Sequence, residues 1–269
     1  MGNAKRRSMA FLRMHPYCCF CGGQTLATTR DHWPSRALFD SRQSPEGYEF
    51  PACEACNRLS SQSEAIFVMF CRLVRPMVNG QFDSQTDRLI RALAEQHPEL
   101  SQSLISRPIE VRRYLREKGL TLNAGTTTHG LGLVNLEHPD IGKAFETYFL
   151  KLALALHYKH TASILSQGGG VSLNVWSNAD SAKEVPTEAF GPYLKARASL
   201  TRQKVDLSGQ FVYEWNADTT TGTVSLFWII FPGAFAALAS VAADRQTLVK
   251  HLPANSVFPP FSPHPQVPR

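Results

Sequence analysis

Cys18-Cys19-Phe20-Cys21, Asp31-His32-Trp33-Pro34 and Cys53-Glu54-Ala55-Cys56-Asn57 are the pieces of this chain whose reading decides its fold. Two CxxC pairs enclose an Asp-His dipeptide and close on an asparagine. Thiolate sulfur in a tetrahedral array is what Zn²⁺ favours, and two such knuckles supply four ligands. A shell of Cys18, Cys21, Cys53 and Cys56 leaves no open coordination position, so the zinc expected there is structural. It takes the place of the hydrophobic core that so short a segment lacks. The gap between the pairs, residues 22–52, leaves room for an inserted β-hairpin.

Inside that gap, Asp31 is a hard ligand suited to Mg²⁺ or Mn²⁺ rather than to a soft metal. His32 titrates near neutrality and can take a proton from water. Neighbours on a strand point to opposite sides, so one can face an ion and the other the water where the strand twists or bulges. Asn57, fixed by the cysteine before it, offers another hard oxygen. The alternative is a zinc knuckle that only binds, with Asp31 capping a turn and His32 bonded to backbone.

The order CxxC, Asp-His with a following proline, then CxxC-Asn resembles the HNH endonucleases of the ββα-metal fold. It is most similar to their zinc-containing branch, which includes phage recombination endonuclease VII, and to bacterial HNH-like proteins. The resemblance covers about residues 16–67. It implies a nuclease that hydrolyses phosphodiester bonds of nucleic acid, DNA being expected. His32 would be the general base, and Asp31 and Asn57 would hold one catalytic Mg²⁺ or Mn²⁺. Cys18, Cys21, Cys53 and Cys56 would hold the structural zinc. Phage defence or a mobile element is the setting that the family suggests. Two departures stand out. Where the family carries a middle asparagine, this chain reads Gly47-Tyr48-Glu49-Phe50, and no lysine follows Asn57, only Arg58. On a helix running from Asn57, Glu64 shares the face but sits about 10 Å further along the axis, a poor position for binding the same ion.

The chain has 269 residues, 43% of them hydrophobic, enough for one large domain or a small module and a medium one. Its net charge is +6. The surplus gathers at the start: Lys5, Arg6, Arg7, Arg13, Arg30 and Arg36 face a single acid, Asp31, within residues 1–36. A basic edge beside the motif would draw in a polyanion and make binding salt-dependent. Cysteines at metal-ligand spacing point to a reducing, cytoplasmic setting rather than to disulfides. No signal-peptide pattern is present. Ser225 to Ala243 is uncharged and about as long as a membrane span, but Pro232-Gly233 divides it. A strand followed by a buried helix is the expectation there, with no membrane partner.

The whole reads as an α+β protein. Residues 1–75 form the small ββα-metal module on zinc. Residues 76–252 form a mixed helix and antiparallel-sheet body, and 253–269 a Pro-rich extended tail. A basic helix is expected over 4–15, another with Ile66, Phe67, Phe70, Leu73 and Val74 ending by Pro76, and a third from Ser84 to His97. The helix from Asp140 to about Ser163 is apolar nearly all round and should be central, with His157 and His160 packed. Strands are expected around Val171–Val175, Phe211–Trp215 and Val224–Phe231, with loop or short strand over 120–137. The body could engage a protein partner or a second copy of the chain. A non-catalytic, zinc-dependent nucleic-acid-binding or scaffold protein is the competing reading.

Overall fold

In the computed structural model, residues 3–73, 82–103, 108–117, 119, 136, 138–178 and 185–262 are described. The basic opening coils into α1 (Asn3–Met14). It half-buries Ser8, Phe11, Leu12 and, just beyond its end, His15, the spacing of one helical stripe, and leaves Lys5, Arg6, Arg7 and Arg13 exposed. The antiparallel pair β1 (Thr29–His32) and β2 (Glu49–Ala52) follows, in regular register with Asp31 opposite Phe50 and His32 opposite Glu49. Next comes α2 (Glu54–Leu73). It starts well before Ser63, where its apolar repeat becomes visible, because its first turns are polar and follow directly from the second CxxC. The helix α3 (Ser84–Gln96) is capped by Asp83, whose carboxylate accepts from the amides of Gln85 and Thr86. Two short helices, α4 (Pro98–Ser103) and α5 (Pro108–Glu117), come after it.

The long helix α6 (Pro139–Thr161) is the axis of the molecule. Residues 148–157 are buried without a break, including Lys151 and His157. One side of α6 meets α2, and the other meets a six-stranded antiparallel sheet. That sheet is built from β3 (Gly170–Ser177), β4 (Ala196–Arg197), β7 (Val212–Ala217), β8 (Val224–Phe231), β9 (Phe235–Ala242) and β10 (Val257–Phe258), in the order β10-β3-β9-β8-β7-β4. A small hairpin, β5 (Thr201–Arg202) with β6 (Val205–Asp206), and the short helices α7 (Thr187–Phe190) and α8 (Arg245–Val249) complete the body. The fold is thus mixed α+β with antiparallel sheets.

One expected element differs. Residues after Pro232-Gly233 form the strand β9 rather than a buried helix. Phe235, Ala237, Ala239 and Val241 are buried while Ala236, Leu238 and Ser240 are half-exposed, which is strand alternation. The helix preference of alanine yields here to full pairing with β8 and β3 on either side. Gly233, at φ 76°, makes the tight turn between β8 and β9 that a side chain would strain. After Pro253, Val257 and Phe258 add an edge strand against β3. The loop expected over 120–137 lies outside the described residues, save Leu136. Among the described residues, no helix is long and apolar enough to cross a membrane.

One apolar core joins α2, α6 and the sheet. Phe67 and Phe70 of α2 pack on Phe145, Tyr148 and Phe149 of α6, and those in turn on Phe231 and Phe235 of the sheet.

Candidate metal centre

Four sulfurs converge at the join between the hairpin and α2. Cys18, Cys21, Cys53 and Cys56 are all buried, and their Sγ atoms lie within 4.8 Å of one another. A tetrahedral ZnS₄ shell with bonds of about 2.3 Å has edges of about 3.8 Å, so the dimensions suit such an ion. The first knuckle is closed by backbone bonds, Cys18 N–H to Thr25 O at 2.9 Å and Gly23 N–H to Cys18 O at 3.2 Å. Gly22 and Gly23 turn it at φ 65° and 73°, where a Cβ would be strained. At the second knuckle the amide of Cys56 donates to Cys53 Sγ (3.4 Å) and that of Asn57 to Cys53 O (3.1 Å), which starts α2 on the sulfur site.

No disulfide forms among these cysteines. Their ionisation is mutually limited: Cys21 is brought down to about 2 by hydrogen bonds from Cys18 and Cys56, whereas the bond to Cys21 pushes Cys18 up to about 11. Cys56 is pushed far higher by bonds with Cys18 and Cys21. A cation among the sulfurs would favour their thiolate forms. Four buried cysteines this close can hold a metal ion, and they are compatible with structural zinc.

Asp31 and His32, adjacent on β1, turn to opposite faces of the regular hairpin. The Asp31 carboxylate, 12% exposed, meets the ammonium of Lys151 from α6: Oδ2 and Nζ are 2.6 Å apart. Lys151 is itself 0% exposed. Its Nζ also donates to Ser60 Oγ at 2.6 Å and lies over the rings of Trp33 (4.4 Å) and Phe20 (4.8 Å). Ser60 in turn donates to the Asn57 carbonyl at 3.3 Å. Asn57, Ser60 and Glu64 are spaced three and four apart, on one stripe of α2. Burial raises the Glu64 carboxyl above its usual range, opposed by a hydrogen bond from Ser35; the charge of Asp31 raises it further and that of Lys151 lowers it. Glu64 is therefore within electrostatic reach of Asp31 and Lys151.

His32 faces the other way, into a charged cluster. Its Nε2 is 3.0 Å from Glu49 Oε1, and Arg36 makes a close contact with the same nitrogen. Glu49 Oε2 binds Arg30 Nη1 at 3.0 Å, so one carboxylate bridges the two outward residues of β1. Burial and the neighbouring charge of Arg36 lower the pKa of His32 despite the opposing pull of Glu49, which favours the neutral imidazole.

The structure thus joins Asp31 to the α2 stripe bearing Asn57 and directs His32 to Glu49. Lys151 and Glu49 are the partners that the motif does not name. Lys151 does leave a sequence signal, as a lone charge in Phe149-Leu150-Lys151-Leu152-Ala153-Leu154. The chain matches no protein-family model, no curated protein and no solved structure.

Proposed function

We propose that this chain is a metal-dependent nuclease of the HNH type, hydrolysing phosphodiester bonds of nucleic acid, with DNA as the expected substrate. The observation that carries the reading is the placement of Asp31 and His32 side by side on a two-stranded hairpin that a four-cysteine cluster ties to the next helix. A hairpin, a helix and a cysteine cluster in this order support a ββα-metal module with structural zinc.

The donor chemistry suits a divalent ion. The oxygen Oδ2 of Asp31 is held by Lys151, and Oδ1 makes no hydrogen bond among the described residues. Asn57 offers a hard oxygen on the stripe of α2 that Ser60 and Lys151 link to Asp31. Mg²⁺ or Mn²⁺ held by Asp31 and Asn57 would supply electrostatic stabilisation of the charge that develops on the scissile phosphate.

The rest falls to the chain's own side chains. The Nε2 of His32 cannot both donate to Glu49 and accept from Arg36. The bond to the Glu49 carboxylate is charge-assisted and sets the tautomer, leaving the lone pair on Nδ1. Nδ1 is then the atom that takes the proton of the attacking water. Glu49 orients the imidazole from the facing strand, where the family carries its middle asparagine. Arg36 and the exposed cations of α1 offer contacts to flanking phosphates.

The competing reading, a zinc-dependent protein that binds nucleic acid or a partner without cutting, is favoured by one observation: Lys151 already neutralises Asp31. Nicking of supercoiled plasmid in Mg²⁺ or Mn²⁺ separates the two. Wild type is expected to nick and His32→Ala to lose nicking while still binding DNA. Cutting that survives the substitution rules out His32 as the base, and binding without cutting in both proteins favours the competing reading.

A further inference from the structure

We propose that the ammonium of Lys151 is a built-in counter-cation of Asp31, which holds the site folded without a divalent ion and keeps its affinity for one low. The inference rests on reading Asp31 as a metal ligand.

The argument starts from the surroundings of Nζ. Two oxygens lie 2.6 Å away, Asp31 Oδ2 and Ser60 Oγ, and two aromatic faces lie within 4.8 Å. With 0% exposure and the rings of Phe20 and Trp33 as walls, Lys151 has no route to water and cannot withdraw from an incoming ion. Any cation bound at Oδ1 of Asp31 would share one carboxylate with a fixed positive charge. Charges a few ångströms apart in a poorly hydrated site repel strongly. Conversely, without Lys151 the Asp31 carboxylate would lose its partner, and Glu64 would keep only the more weakly acting charge of Arg42. The lysine therefore does part of a metal's structural work: it links β1 to α2 through Asp31 and Ser60 and joins both to α6.

This role differs from that of an ordinary buried ion pair in its response to divalent metal. Full-length, zinc-loaded protein is titrated with Mn²⁺, free ion being read by electron paramagnetic resonance, and thermal unfolding is followed with and without Mn²⁺. Lys151→Met is expected to bind Mn²⁺ about tenfold or more tightly than wild type. Its Tm is expected to fall without Mn²⁺ and to recover when Mn²⁺ is added, a recovery that wild type does not show and Lys151→Met/Asp31→Asn abolishes. Should Lys151→Met not fold, Lys151→Gln keeps a donor to Asp31 and Ser60, removes the charge and carries the same comparison. Mn²⁺ affinity that is unchanged, weaker or undetectable in these variants overturns the proposal. Neither readout requires cutting. Tighter Mn²⁺ binding in a protein that never nicks DNA leaves this inference standing and removes the nuclease reading, while nicking by wild type with unaltered Mn²⁺ affinity in the variants does the reverse.

Discussion

The ring of Phe67 lies face to face with that of Tyr148, 3.8 Å between centroids and 21° between planes. Phe67 belongs to α2, the helix that carries Asn57, Ser60 and Glu64, and Tyr148 to α6, the helix that carries Lys151. On its other side Tyr148 meets Trp33, at 4.8 Å, in the turn that follows β1. Three elements bearing candidate site residues are thus held in one aromatic packet, closed from the sheet side by Phe231 and Phe235 at 4.9 and 5.6 Å from Phe67.

Phe67→Ala should therefore cost about 3–5 kcal/mol of stability, the range for truncating a fully buried phenylalanine. The shift of the urea midpoint at unchanged slope measures it. A fragment ending at residue 75 would uncover Ile66, Phe67 and Phe70 and lose Lys151. It is expected to aggregate or to give a collapsed amide spectrum even with zinc present. A well-dispersed spectrum from that fragment would show that the hairpin, α2 and the metal site suffice by themselves.

Metal removal gives a second expectation. Metal binding favours the thiolate forms of its cysteine ligands, so an ion held by the four sulfurs would contribute folding free energy directly. One Co²⁺ per chain should produce the intense thiolate charge-transfer absorption of a four-sulfur site, and Cys53→Ala should abolish it. A strong chelator should lower Tm and loosen the start of α2, seen as faster amide exchange at Cys56 and Asn57. Chelation without effect on Tm would mean that the cluster is merely a set of buried thiols.

The sulfur half of the site is legible in the sequence because ligand type and spacing are properties of the chain itself. The Asp-His pair is legible for the same reason. Lys151 is visible only as a lone charge in an apolar run; its partner is 120 residues away, and only tertiary packing names it. Glu49 is fixed by strand register, which sets it opposite His32. The helical period of α6 is plain, and so is the alternation of β8. The start of α2 is hidden because its opening turns are polar and follow directly from the second CxxC, with no apolar repeat to reveal them. The strand β9 is hidden for the opposite reason: its Ala-rich sequence suits a helix locally, and only two flanking strands make it a strand.

Acid should weaken the fold through α6. His157 is 1% exposed, with Nδ1 2.9 Å from Ser225 Oγ and Nε2 unpartnered among the described residues. Burial lowers its pKa from 6.5 to about 4. Below pH 6.5 the unfolded chain takes up this proton while the folded chain refuses it. Stability is therefore complete above pH 6.5 and falls as the pH drops toward 4, by about 3 kcal/mol at the end of that window. His160, brought to about 4 by burial and by Lys159, adds to the loss in the same direction. In His157→Gln the slope of unfolding free energy between pH 4 and 6.5 should shrink by about one proton's worth, about 1.4 kcal/mol per pH unit. An unaltered slope would place the acid sensitivity elsewhere.

Arg72 closes the far end of α2 with contacts that only a guanidinium can make at once. It is 2% exposed. Its Nη2 meets Asp83 Oδ1 at 2.8 Å, Nε donates to Thr86 Oγ1 at 3.0 Å, and Nη1 donates to the carbonyls of Ala37 and Leu38, both at 3.4 Å. Burial acts to raise the Asp83 carboxyl, but hydrogen bonds from Thr86 and Arg72 hold it well below the usual carboxylate range. Arg72→Met removes the guanidinium from Asp83, Thr86 and the carbonyls of Ala37 and Leu38 at once, and should cost about 1–3 kcal/mol. Arg72→Lys restores the charge but not the planar fork, so it is expected to regain the bond to Asp83 and to lose the guanidinium's bonds to the carbonyls of Ala37 and Leu38. Because Arg36 sits in the same short turn as Ala37 and Leu38, Arg72→Lys should also loosen the contact of Arg36 with His32. That loosening is readable as an upward movement of the His32 titration by NMR, since a retreating cation no longer favours the neutral ring. A lysine variant with wild-type Tm and an unmoved His32 titration would show that charge alone, and not the fork, holds this end of the site.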